Sequence, residues 1–220
     1  MNKAQIVEFF ARLAADNPHP ETELEYSNAY TLLVAVVLSA QMTDAGVNKA
    51  TRSLFAEADT PEKMVALGEE VLKERLRTIN FYNTKAKNVL ALSRTLIEEH
   101  GGEVPADREL LEKLPGVGRK TANVVLNSAF GRETFAVDTH IFRVCNRAGL
   151  ARGKNPLEVE LKLDKRVPQP FRLHAHHWLI LHGRYTCKAR TPECWRCPVA
   201  DLCAYKPKTP PPPVRKQATC

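Results

Sequence analysis

Signals that start and stop helices recur along the chain, and almost nothing in it reads as a strand. Thr60-Pro61 sets an N-cap residue before a proline at the first helical position, and Gly68 follows as a stop. Asn83 is placed to cap a helix running to about Glu99, closed by Gly101-Gly102. Asp107 opens a short helix holding Leu110, Leu111 and Leu114. From Arg119 to Phe130, the residues Ala122, Val125, Leu126 and Ala129 recur at helical spacing as one buried stripe, with Gly131 beyond. A helix starts near Thr139, Asn155-Pro156 opens another, and Pro170 opens one carrying Trp178, Leu179 and Leu181. Only Thr134 to Val137 looks extended, which is too short to build a sheet. The pattern predicts an all-α protein of about ten helices.

The longest apolar run, Leu32 to Leu38, is far short of the roughly 20 residues a membrane-spanning helix needs. Glu8, Arg12 and Asp16 interrupt any apolar stretch at the N-terminus, so no signal peptide is read there. The expectation is a cytoplasmic protein without a membrane. With 44% apolar and 26% charged residues the chain can bury a core, which excludes disorder along its whole length. A net charge of +7 suits a polyanion, nucleic acid first, although charge alone also fits a soluble protein that happens to be basic. Residues 207–220 are proline-rich and basic and are expected to form a disordered tail.

Four of the six cysteines lie together as Cys187-x6-Cys194-x2-Cys197-x5-Cys203, while Cys145 and Cys220 stand apart. A disulfide framework belongs to short secreted chains, so the cluster reads as a set of metal ligands. Zinc sites usually bring two close pairs, and only one pair is close here. The compact, uneven spacing suits an iron–sulfur cubane with one cysteine per iron better than zinc. Lys188, Arg190 and Arg196 within the loop suit a phosphate backbone rather than an electron-transfer partner.

Leu114-Pro115-Gly116-Val117-Gly118-Arg119-Lys120 lies between two predicted helices. Its glycines allow a tight turn, and the second helix then points its free N–H groups outward at the positive end of its dipole. That is a phosphate site made from backbone, the pattern of a helix-hairpin-helix. Arg119 and Lys120 oppose the dipole, so both read as phosphate contacts. An amine held at such a place is also a candidate nucleophile. Asp138, in Val137-Asp138-Thr139-His140, is placed to cap the next helix. A carboxylate fixed at a helix start can also face an active site.

Taken together, the hairpin, Asp138 and the cysteine loop closely resemble the endonuclease III family of helix-hairpin-helix DNA glycosylases with abasic-site lyase activity. The likeness extends to about Lys206 and is strongest at Leu38-Ser39-Ala40-Gln41, Leu114 to Leu126, Val137 to Arg147 and Trp178 to Tyr185, besides the cysteines. The resemblance implies two helical domains with a DNA-binding cleft between them. One is a six-helix barrel over residues 22–132, with the hairpin at about 107–130. The other joins residues 1–21 to 133–206 and holds one [4Fe-4S] cluster. Lys120 matches the family nucleophile and Asp138 its carboxylate, acting as base or as electrostatic stabiliser. Cys187, Cys194, Cys197 and Cys203 match the cluster ligands.

Gln41 matches a residue that fills the gap left by a flipped nucleotide, and Phe81 stands in the segment expected to wedge into the duplex. Gly116, Val117, Gly118, Arg119 and Thr121 form the phosphate-gripping hairpin. Arg143, Arg147, Arg184, Lys188 and Arg190 extend the basic face. The implied activity is removal of oxidised pyrimidines from double-stranded DNA through a Lys Schiff base, with nicking by β-elimination. The implied protein is a monomer working at the bacterial nucleoid. A monofunctional glycosylase, or a non-catalytic DNA-binding module, is the alternative. The sequence departs from the family pattern at Met42, where a small residue or Thr is usual. Asn80-Phe81 replaces a Gly-Leu type pair, Trp195 a small residue, and Thr191 and Glu193 basic ones.

Overall fold

The structure is a computed structural model that describes residues 1–213. The end of the proline-rich tail and Cys220 lie outside the described residues. The helices are α1 (Lys3–Asp16), α2 (Ala29–Leu38), α3 (Asp44–Glu57), α4 (Pro61–Leu67), α5 (Glu69–Leu76), α6 (Tyr82–His100), α7 (Arg108–Lys113), α8 (Arg119–Phe130), α9 (Thr139–Ala148), α10 (Pro156–Arg166) and α11 (Arg172–Tyr185). Short 3-10 turns cover Gln169–Phe171 and Cys194–Arg196, and the described residues contain no strand, as expected of an all-α chain. None of these helices is long and apolar enough to cross a membrane.

The chain divides into two compact units, Glu21–Ala136 and the combination of Met1–Pro20 with Val137 onward. The first is built around α2. That helix is apolar on every side, and every residue from Tyr30 to Leu38 is buried, so it must be surrounded rather than laid on a surface. Burying each such leucine fully stabilises the unit by about 1.5–3 kcal/mol. An Asn28–Thr31 capping box starts α2, and α3, α6 and α8 pack against it. The Tyr30 hydroxyl meets Ser93 Oγ at 2.6 Å and joins α2 to α6. Burial pushes that phenol well above its ordinary range.

In the second unit α11 packs against α1 and α9. Phe10 stacks on Phe171 at 5.9 Å, and Trp178 Nε1 donates to the Asn17 carbonyl at 2.8 Å, tying the end of α1 to α11. Gly183 lets α11 touch α9, since a Cβ there would stand 2.8 Å from His140 Cβ.

Thr60, Asp107, Asp138 and Asn155 cap their helices as the sequence suggests, each accepting a backbone N–H. Three boundaries differ. Asn83 lies inside the first turn of α6, because the bond from Tyr82 N to Ile79 O already carries the chain into the helix. Leu114 is the residue closing α7, not part of it. Pro170 belongs to a 3-10 turn, and α11 begins only at Arg172.

Candidate active site and metal centre

The hairpin occupies the turn between α7 and α8. Leu114 is buried, Val117 N donates to Leu114 O at 3.0 Å, and Gly116 adopts φ +78°. A Cβ on Gly116 would fall 2.9 Å from Asn88 Nδ2, so both conformation and space require glycine. Gly118 caps α8 without a side-chain bond, and no acid stands in the first turn, so neither offsets that positive helix end. Val117 does not fit its expected role as a phosphate contact. Its side chain is buried and its N–H is already used inside the turn.

Lys120 is exposed, and its amine forms no hydrogen bond or ion pair among the described residues. Asn123, which the sequence reading passed over, fixes the chain beyond α8. Its Nδ2 donates to Phe135 O at 3.1 Å, and its carbonyl accepts from Thr134 Oγ1 at 2.6 Å.

Gln41 and Phe81 are exposed and carry positive φ, 56° and 58°. Such backbone costs on the order of 1–3 kcal/mol at a non-glycine residue and persists only where neighbours hold it. Beneath them Lys85 is buried on α6, another residue the sequence did not flag. Its ammonium donates to Leu38 O at 2.8 Å and Ala40 O at 2.6 Å, occupying the carbonyl end of α2. Burial pulls the Lys85 pKa below its ordinary value.

In the other unit, Asp138 is half-buried at the start of α9. One carboxylate oxygen accepts Ile141 N at 2.8 Å, and the second accepts no hydrogen bond among the described residues. The capping role is therefore real and leaves one oxygen over.

Arg143 and Arg147, expected on the DNA face, are half-buried and bond the carbonyls of the cysteine loop and its neighbours. Arg143 donates to Cys187 O at 2.9 Å, Gly183 O at 2.7 Å and Thr139 O at 3.3 Å. Arg147 donates to Lys188 O and Ala189 O, both at 2.7 Å, and its guanidinium lies 5.0 Å from the centre of the Tyr205 ring. The two arginines, one turn apart on α9, fasten the cysteine loop through the carbonyls of Cys187, Lys188 and Ala189.

Cys187, Cys194, Cys197 and Cys203 are free thiols that line one cavity with Phe9 and Val144. Ala148, Pro192 and Val199 add to the apolar part of that lining. Cys145 is fully buried on α9 away from that lining, and burial pushes its thiol far up. Arg147 Nη1 approaches Cys187 Sγ at 3.7 Å, and His182 Nε2 lies 3.7 Å from Cys197 Sγ. Four thiols on one cavity lining, apolar neighbours and the Arg147 guanidinium beside one sulfur suit a tetrathiolate cluster, whose negative charge that cation offsets. Lys208 Nζ, at the start of the tail, donates to Cys203 O at 2.9 Å. Lys188 pairs with Glu193 at 2.6 Å, and Arg196 pairs with the same carboxylate. Arg190 is exposed with no partner among the described residues.

A family model for the HhH-GPD superfamily base excision DNA repair protein matches residues 34–169. Another, the iron-sulfur binding domain of endonuclease III, matches residues 187–203. Endonuclease III of Haemophilus influenzae is 58% identical over 94% of this chain and 99% of its own length. The chain belongs to the endonuclease III family. The Escherichia coli K12 endonuclease III is 59% identical over the same shares. A solved endonuclease III–DNA trapped covalent intermediate matches with a TM-score of 0.86 at 46% identity, covering 92% of this chain and 96% of that one. A non-covalent endonuclease III–DNA complex matches equally well and is covered to 95%. As an endonuclease III family member the chain is a base excision repair DNA glycosylase with abasic-site lyase activity, acts on duplex DNA and carries a [4Fe-4S] cluster.

Proposed function

We propose that this chain excises oxidised or ring-saturated pyrimidines from duplex DNA with Lys120 as nucleophile and Asp138 as the assisting carboxylate. The observation that carries this reading is the Lys120 amine, without a partner among the described residues, on the first turn of a helix with no side-chain cap. Phosphates gather at such a helix end, and the amine beside them meets the sugar they belong to. Once it has lost its proton, the amine forms a bond to the sugar carbon bearing the base, and the bond to the base breaks. The base leaves with a proton, the sugar opens and a Schiff base remains. Loss of a proton from the neighbouring carbon then expels the 3′ phosphate. The free oxygen of Asp138 serves the positive charge that develops on the sugar or the proton of the attacking amine. The cluster, when bound, cross-links the loop and supplies local folding energy. The work is done in the bacterial cytoplasm, at the nucleoid.

Duplexes each carrying a single lesion test this directly. Oxidised and ring-saturated pyrimidines are released and the same strand is nicked, while undamaged thymine stays in place. Release without a nick would make the chain a monofunctional glycosylase. Binding with neither product would make it a binding module.

Lys188, Arg190, Arg184 and the hairpin residues Gly116, Gly118, Arg119 and Thr121 are the proposed phosphate contacts, with Gln41 and Phe81 as the wedge. Glu193 tempers this face, because it holds both Lys188 and Arg196. Those two cations keep its carboxyl below the usual range, so it stays charged at neutral pH. Glu193→Gln removes the competing anion. DNA binding tightens at low salt, and the slope of log K against log salt steepens by about one unit. An unchanged slope in a titration from low to moderate salt would remove the loop from the interface.

A further inference from the structure

The two proposed wedge residues are also the two strained ones. Among the described residues, Gln41 and Phe81 are the only non-glycine positions at positive φ. Glycine would relieve the strain at either place, yet both carry long side chains that are exposed and make no core contact; Phe81 is 65% exposed. The two segments are tied together. Lys85 Nζ donates to Ala40 O at 2.6 Å, Asn80 Nδ2 to Gln41 O at 2.8 Å, and Asn80 N to Met42 Sδ at 3.4 Å. Residues 40, 41 and 42 thus each take one bond from the segment flanking Phe81.

Lys85 is buried and satisfies the end of a helix, so its bonds have a folding reason. Asn80 is exposed, and water could solvate its amide equally well. Its bond to Gln41 therefore orients rather than satisfies. Met42 and Asn80 meet at this point.

We infer that Asn80 is a positioning residue that locks the Gln41 and Phe81 segments into one two-pronged wedge, so that both side chains enter the duplex together. This rests on the wedge reading of those two residues. A wedge already ordered before DNA arrives does not spend unstacking energy on ordering its own loops.

The test compares Asn80→Ala with Phe81→Ala on two substrates, a damaged pyrimidine paired in duplex and a preformed abasic site. A 2-aminopurine beside the lesion reports unstacking. Asn80→Ala slows both the fluorescence rise and single-turnover excision of the paired lesion by about tenfold. It melts as the parent does and nicks the abasic site at the parent rate. The double variant is little slower than Phe81→Ala, because the two act as one device. If Asn80→Ala extrudes at the parent rate while Phe81→Ala is slow, the positioning role falls and the wedge reading stands. Equal losses on both substrates for Phe81→Ala overturn the wedge reading and this inference with it. Additive losses in the double variant overturn the inference alone.

Discussion

Lys120→Gln abolishes the borohydride-trapped adduct with abasic DNA while the variant still binds lesion-containing duplex. Glutamine keeps much of the length of the side chain and its helix propensity, but it has no amine to form or hold a Schiff base. Lys120 is exposed and makes no contact that the fold uses, so the melting temperature is unchanged. The loss of excision is at least on the order of 10⁴-fold, the scale seen when an enzyme loses its nucleophile. Gel analysis after borohydride gives the adduct, and a filter or anisotropy titration gives the binding. A trapped adduct in the glutamine variant would transfer the chemistry to another amine.

Asp138→Asn separates two roles that share one side chain. As a cap, asparagine serves almost as well, since its carbonyl oxygen can accept the Ile141 N–H that Asp138 now holds at 2.8 Å. Stability therefore stays within about 1 kcal/mol of the parent, the usual scale of a whole cap. As a carboxylate facing a cationic sugar or an amine, asparagine has neither charge nor basicity. Single-turnover excision falls by about 10² to 10⁴, the range of a positioned acid–base group. Thermal melting beside single-turnover excision decides the matter. Normal melting with near-parent excision would leave Asp138 as a cap alone.

What could be read from residue order was what depends on near neighbours. Thr60-Pro61, the α8 stripe and the Asp138 cap are signals within a few residues, and the structure has them where the spacing puts them. The cysteine loop was legible because four soft ligands in a short stretch have few other uses. What escaped was set by contacts between distant segments. Nothing around Lys85 announces that its ammonium will reach two carbonyls at the end of α2. Arg143 and Arg147 look like surface cations in the sequence, and only the folded loop supplies the carbonyls that engage them. Val117 was read as part of a gripping turn, yet the turn closes by using that residue's own N–H. Asn83 had the right chemistry for a cap, two residues too late.

Helix α9 is capped by Asp138 and carries, farther along, the two arginines that hold the cysteine loop. Its 10 residues make a rod of about 15 Å, and a rod that short tilts as a body rather than bending along its length. Displacing the loop removes two anchors from the helix that presents the carboxylate. A preparation with half its iron would be a mixture of working and idle molecules, its turnover number scaling with metal content while the Michaelis constant stayed fixed.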